Sequence, residues 1–180
     1  VQNQYDDQAI ATFLDNNYFD AQGNVKTFST TSTEDDNEVK LSTYAKETLT
    51  NGTIIIKRAT AQPNPGKTIA PTDSLRIMST TMAYWATNED SAVKFRYGTL
   101  FSNDIFGSGN VQVDPPYYYV TEKFMADNKN TDRNFYQIEG FREAIQHFNS
   151  TEVEDSATPN LQGIIIVPSR AAFARDKYYQ

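Results

Sequence analysis

The chain has 180 residues, 38% of them hydrophobic, and carries a formal charge of −7. This length fits one domain with an appendage, and the negative charge argues against a nucleic-acid partner, which needs clustered Lys and Arg. The sequence contains no cysteine, so a disulfide framework, a thiolate nucleophile and a zinc–thiolate site are excluded. The longest aliphatic run is far shorter than the roughly 20 residues that span a bilayer.

The first predicted element is a helix over residues 7–16. Ile10, Phe13 and Leu14 fall on one face at helical spacing, and Asp6 or Asp7 offers an N-cap oxygen. A polar, acidic stretch follows, which is typical of a solvated surface loop.

Several strands are predicted next. Thr53–Arg58 is one of them, and Ser74–Trp85 and Ala92–Phe101 are two more, joined by a hairpin turn at Thr87–Asp90. The last predicted strand is Gln162–Val167, an aliphatic run that ends at a proline.

A second helix is predicted over Glu139–Asn149, because Phe141 and Ile145 share one face of it. Pro115–Val120 is predicted to be extended, and Thr121–Asn134 a polar surface insertion. This order of elements predicts an α+β fold in which a helix packs across a mostly antiparallel sheet.

Conventional catalytic groupings are absent from the sequence. One histidine, His147, and no cysteine cannot build a catalytic triad or a nitrogen–sulfur metal site. Most of the clustered carboxylates lie in polar stretches, where solvated charge is the usual role. The sequence therefore predicts no cofactor and no metal.

What remains is a set of aromatic and aliphatic residues spread along the chain. Its members are Phe106, Tyr117, Tyr119, Ile138, Phe141 and Phe173. Each one alone is typical of a core residue, but in order they form a recognisable pattern.

That pattern resembles the FKBP-type peptidyl-prolyl isomerases. Residues 137–145 resemble the family signature Val-Ile-x-Gly-Trp-x-x-x-Leu, and residues 116–119 resemble its Pro-Phe-x-Phe. Residues 105–109 resemble x-Phe-Asp-Ser-Ser. Val167-Pro168, with Phe173 at the tyrosine place, resembles Ile-Pro-x-x-Leu-Ala-Tyr-Gly.

The resemblance divides the chain into two parts. Residues 49–180 are expected to form an FKBP-like domain, a curved, mostly antiparallel sheet wrapped around one helix, without the family's final strand. Residues 1–48 are expected to form a helix and a polar spacer, as in FKBP-like lipoproteins of bacterial outer membranes. The lipid-bearing cysteine of such proteins is not in this chain.

The resemblance also implies a pocket and a mechanism. Phe141 would form the floor, and Ile138 would offer its backbone N–H to a substrate carbonyl. The implied wall residues are Phe106, Tyr117, Tyr119 and Phe173. Rotation about an X–Pro bond faces a barrier of roughly 18–20 kcal/mol. It needs no proton transfer, so an apolar pocket that favours the twisted amide is sufficient.

Two positions depart from the family pattern. Gly107 replaces a pocket aspartate, and Phe173 replaces a tyrosine, so a polar pair is lost. The place of the family's strand tyrosine falls on Ser79 in one alignment, which we favour, and on Tyr97 in the other.

The sequence leaves three functions open. The first is a weak prolyl isomerase that acts on Pro-containing segments of exported or outer-membrane proteins. The second is an inactive FKBP-like lipoprotein that serves as a subunit of an outer-membrane secretion or insertion complex. The third is carbohydrate binding through exposed tyrosines. For the first two, the expected location is the outer membrane of a Gram-negative envelope.

Overall fold

The structure is a computed structural model that describes residues 1–105 and 111–175. Its helices are α1 (Gln2–Asn16), α2 (Glu122–Asp127), α3 (Arg133–Tyr136) and α4 (Glu139–Ile145). Its strands are β1 (Asn17–Phe19), β2 (Val25–Thr27), β3 (Glu47–Thr48), β4 (Ile54–Lys57), β5 (Lys67–Thr68), β6 (Arg76–Ile77), β7 (Thr80–Glu89), β8 (Ala92–Asn103), β9 (Gln112–Val113), β10 (Asn149–Ser150) and β11 (Gly163–Ile166). Its 3₁₀ turns are Leu41–Thr43, Ala59–Ala61, Ser169–Ala171 and Phe173–Arg175.

The fold is a mixture of helices and antiparallel strands, as the sequence predicts. Three strands form a central sheet in the order β11-β4-β3, and the other strands of the described chain pair two by two. These pairs are β1 with β2, β5 with β10, β6 with β9, and β7 with β8. The described strands do not close into a barrel.

The central sheet is covered on both faces, which explains the uninterrupted isoleucines of β4 and β11. Neighbouring side chains along a strand point to opposite faces. On one face, the buried cluster against α1 consists of Ile10, Leu14, Phe19, Leu41, Ile56 and Ile166. On the other face, the cluster against α4 consists of Leu49, Ile55, Ala144 and Phe148. Each fully buried isoleucine contributes roughly 1.5–3 kcal/mol.

Helix α1 is longer than predicted. It begins five residues earlier, at Gln2 instead of Asp7. Its apolar face packs on the central sheet through Ile10 and Leu14 and on strands β7 and β8, where Phe13 contacts the rings of Tyr84 and Phe95. The predicted division of the chain at residue 48 stays a prediction.

Neither of the two candidate N-cap residues caps the helix, which begins after Val1. Asp6 is buried, and its Oδ2 accepts hydrogen bonds from the Ser169 backbone N–H, at 2.8 Å, and from the Ser169 hydroxyl. Beside it, Arg170 forms an ion pair with Asp7 at 2.8 Å. We call these contacts the terminal clamp. They fix the Ser169–Ala171 turn, which leads to Phe173, against α1.

The predicted hairpin is present as a ribbon formed by β7 and β8, but its turn lies later than predicted. Asp90 and Ser91 have φ values of 53° and 62°, which match the two-residue turn that suits strand twist. The first arm is interrupted, because β6 pairs with β9 and a new strand begins at Thr80.

One of the two predictions for the region from 115 to 134 was wrong. Pro115–Val120 is not extended, since the Tyr118 N–H donates to the Pro115 carbonyl at 3.0 Å and closes a turn. Thr121–Asn134, predicted as a polar surface insertion, is mostly exposed. It contains α2 and the start of α3, which are held together by a ring contact of Phe124 with Tyr136 at 5.5 Å.

Helix α4 ends at Ile145, four residues before its predicted end. The chain then turns, and Asn149 and Ser150 pair with β5. None of the helices in the described ranges is long and apolar enough to cross a membrane.

Candidate functional site

A broad, open groove of about 1950 Å³ lies between α4, the ribbon, the 151–160 loop and α1. Four of the residues predicted for the pocket line it: Tyr117, Ile138, Phe141 and Phe173. Phe106 and Gly107 lie outside the described residues. The groove therefore gathers residues that are distant in sequence, and their role in substrate binding stays a prediction.

Tyr117 and Phe141 form the aromatic centre of the groove. Their ring centroids are 5.5 Å apart, and the planes are inclined by 64°, a geometry in which a ring edge meets a ring face. Phe141 and Ile145, one helical turn apart on α4, pack against the buried cluster of Ile69, Leu75, Ile77 and Tyr118. The helix thus holds Phe141 at the boundary between core and groove.

Ile138 is half-buried beside this pair, but its backbone is already engaged. Its N–H donates to the Tyr117 carbonyl at 2.8 Å. The sequence-based prediction assigns this N–H to a substrate carbonyl, and in the structure that donor is not free. The bond fastens the start of α4 to the turn that bears Tyr117.

The Tyr117 hydroxyl is also engaged. It donates to Gln112 Oε1 at 2.7 Å, and Gln112 Nε2 donates in turn to Asp104 Oδ1 at 3.4 Å. Burial, with the nearby Asp104 carboxylate as a second cause, raises the pKa of Tyr117 to about 12. Tyr117 is therefore neutral at physiological pH.

Tyr119 lies away from the groove. The guanidinium carbons of Arg133 and Arg142 stand 5.3 and 5.9 Å from its ring centroid, which is a cation–π arrangement. Tyr119 follows the buried Tyr118, whose hydroxyl donates to the Ala70 carbonyl at 3.0 Å.

Tyr97 is likewise remote from the groove. It lies on the ribbon, 66% exposed, and its hydroxyl donates to Glu89 Oε1 at 2.9 Å. That hydrogen bond raises the pKa of Tyr97. Ser79, the other position considered for the family's strand tyrosine, lines the groove.

Sequence reasoning missed two residues of the site. Phe101, near the end of β8, lines the groove and contacts the Tyr117 ring at 5.4 Å. Gln112 accepts the hydrogen bond of the Tyr117 hydroxyl. Phe101 had a signal, because it is an aromatic residue at a strand end. Gln112 had none, since a lone glutamine predicts no partner.

Comparison with protein-family models, curated proteins and solved structures finds no match to this chain.

No group of three or more His, Asp or Glu side chains that could hold a metal ion occurs within residues 1–105 and 111–175. Of the groove's polar groups, the Tyr117 hydroxyl and the Ile138 N–H already have partners inside the protein. What the groove centre offers a ligand is apolar surface.

Proposed function

We propose that this chain is an FKBP-like domain that binds proline-containing polypeptide segments. In this proposal it acts as a binding subunit, and its isomerase activity is slow. The observation that carries the proposal is the half-buried Tyr117–Phe141 pair with Ile138 beside it, open to the groove. A proline ring is apolar and compact, so it fits between aromatic rings held at an angle to each other.

The arrangement of α4 favours the FKBP-like part of the proposal. The resemblance leads us to expect a helix across an antiparallel sheet, with Phe141 turned toward a hollow. Helix α4 contacts β11 and contributes Ala144 to the sheet cluster. Phe141 lies on the groove side.

The hydrogen bonding of the site favours binding over catalysis. Isomerisation is accelerated by donors aimed at the rotating amide. The Ile138 N–H donates to the Tyr117 carbonyl, and the Tyr117 hydroxyl donates to Gln112 Oε1. Phe173, at the place of the family's tyrosine, has no hydroxyl to donate. An apolar groove without those donors holds the substrate but adds little stabilisation to the twisted state.

Two measurements on the same peptide test the proposal. Calorimetry is expected to detect binding of a Pro-containing peptide, and replacement of its proline by alanine is expected to weaken that binding. A protease-coupled isomerisation assay is expected to give rates close to the uncatalysed rate. If substoichiometric amounts of the protein strongly accelerate isomerisation, the isomerase alternative is correct and the binding proposal is not. Equal binding of both peptides would refute it.

A matched pair of variants locates the site. Phe141→Leu changes the groove, whereas Tyr119→Leu changes an aromatic residue outside it. We expect the first to weaken peptide binding about tenfold and the second to leave it unchanged. Thermal unfolding of both variants checks that each remains folded. Equal losses in the two variants would place the binding site elsewhere.

The resemblance also leads us to propose a location and a client. We infer that the protein acts in the outer membrane of a Gram-negative envelope, tethered by a lipid anchor, on exported or outer-membrane proteins. Fractionation of producing cells, with lipid labelling, tests the location. Recovery from the cytosol without lipid would refute it. Isolation in one stoichiometric outer-membrane complex would support the binding-subunit role.

A further inference from the structure

The aromatic row of the site continues from α4 into the ribbon. From Phe141 the rings lead to Tyr117 at 5.5 Å and on to Phe101 at 5.4 Å. Phe101 is 45% exposed, and Trp85 of β7, which also lines the groove, is 70% exposed. The groove therefore has an aromatic floor well beyond the place of one proline ring.

The size of the groove points to a polypeptide ligand. Pockets for small molecules have volumes of roughly 300–1,000 Å³, and this groove has about 1950 Å³. Strands β7 and β8 pair only with each other in the described part of the chain. Helix α1 engages part of the ribbon backbone, since Gln2 Nε2 donates to the Ala86 carbonyl at 3.1 Å and the Thr12 hydroxyl to the Val93 carbonyl at 3.5 Å. The outer backbone groups beyond these two contacts have no strand partner and can hydrogen-bond to an extended chain.

The charge of the groove selects the sign of the ligand. The charged side chains that line it, among the described residues, are Asp6, Lys26, Arg76, Glu152, Glu154 and Asp155. Four are acidic and two are basic, and the whole chain carries −7. Two of the acidic groups have basic partners, Glu152 with Lys67 and Asp155 with Arg76. Asp6 is buried and accepts hydrogen bonds from Ser169, and neither Lys26 nor Glu154 has an ion-pair partner within the described ranges. The acidic character that a ligand meets therefore comes from Glu154 and from the net charge of the chain.

We propose that the groove binds an extended polypeptide segment with apolar and basic residues on one side of its proline. The proline occupies the Tyr117–Phe141 centre, and the flanking residues lie along Phe101 and Trp85 of the ribbon. This inference rests on the proposed function and names the substrate class of the same site. The ribbon supplies specificity for the sequence around the proline.

Trp85 provides a built-in reporter, because it is the only tryptophan in the chain. Two peptides serve as probes, each centred on one proline. The first is short, with glycine flanks. The second has about ten residues, which span roughly 33 Å when extended, with leucine and lysine flanks. We expect the second to bind at least tenfold more tightly and to shift Trp85 emission to the blue, and the first to leave that emission unchanged.

Two neighbouring ribbon residues give matched variants. Phe101 lines the groove and Leu100 does not. Both are exposed, at 45% and 55%, so neither substitution by alanine should unfold the protein. Phe101→Ala is expected to lower the affinity for the long peptide about tenfold, and Leu100→Ala to leave it unchanged.

The outcomes separate this inference from the proposed function. Equal affinity for the short and long peptides, with silent Trp85, would overturn the inference and leave the function intact. A long peptide that binds equally well after Pro→Ala, with the Trp85 shift, would support the ribbon site and refute the proline preference. If Trp85 emission shifts with protein concentration in the absence of peptide, the ribbon binds a second copy of the chain, and the inference is overturned. Tighter binding of a glutamate-flanked peptide would also overturn it.

Discussion

Substitution of Gly140 by alanine tests how closely α4 approaches the sheet. A Cβ at this position would lie 2.7 Å from Val167 Cγ1 and 3.0 Å from Ala171 Cβ, and closer still to the Thr53 hydroxyl. Ordinary contacts of a Cβ begin at 3.4 Å. The added methyl group therefore meets three neighbours at once, and helix and sheet must move apart.

The expected cost follows from two opposing effects. Overpacking a well-packed core costs about 1–3 kcal/mol, and three close neighbours place Gly140→Ala near the upper value. Alanine recovers up to about 1 kcal/mol of helix propensity. The net loss of unfolding free energy is about 2 kcal/mol, which lowers the melting temperature by about 4–8 °C for a chain of this length.

Thermal unfolding by circular dichroism measures this loss, and Thr53 supplies the control. Its hydroxyl is buried and has no hydrogen-bond partner among the described residues, so Thr53→Ala alone should change stability by less than about 1 kcal/mol. In the Gly140→Ala background, Thr53→Ala should restore part of the lost stability. A Gly140→Ala variant as stable as the parent would refute the close approach of α4.

Three further predictions concern other contacts. The pKa of Tyr117 is raised from 10.0 to about 12. Its contribution to stability is therefore complete below about pH 10 and is lost as the pH rises to about 12. The absorbance titration of the parent minus that of Tyr117→Phe should show the ionisation of Tyr117 near pH 12, and a step near pH 10 would contradict this. Gly163→Ala should prevent folding or cost several kcal/mol of stability, because a Cβ at this position would overlap the Ile56 carbonyl oxygen. A soluble variant with the melting temperature of the parent would exclude this close contact. Asp6→Ala should cost about 1–3 kcal/mol and speed amide exchange at Ser169, which loses its acceptor; unchanged exchange there would show that the bond is dispensable.

The sequence predicted the elements whose signals are local. The isoleucine runs of β4 and β11, the ribbon and the start of α4 follow from periodicity and turn residues. The turn at Pro115 was missed because the aromatic residues after it are equally typical of a strand. The extent of α1 was missed because its first turn lacks apolar residues.

For the candidate site, the sequence indicated which side chains come together but not the backbone hydrogen bonds between them. Tyr117, Ile138 and Phe141 are found in one groove, and each is visible in the sequence as a large apolar residue in a motif. The bond from the Ile138 N–H to the Tyr117 carbonyl joins two backbone groups, and no residue type signals such a bond. The resemblance to the Pro-Phe-x-Phe motif led us to expect Tyr119 beside Tyr117. In the structure this segment is a turn, and Tyr119 does not line the groove.

The terminal clamp makes one wall of the groove depend on the opposite end of the chain. Asp6 and Ser169 are 163 positions apart, and contacts of such long range are slow to form in folding because so much chain must be closed into a loop. The turn before Phe173 therefore acquires its final anchorage only when α1 has docked. A protease that removes the first helix, or a partner that displaces it, would loosen the groove at its far end without touching a bound peptide.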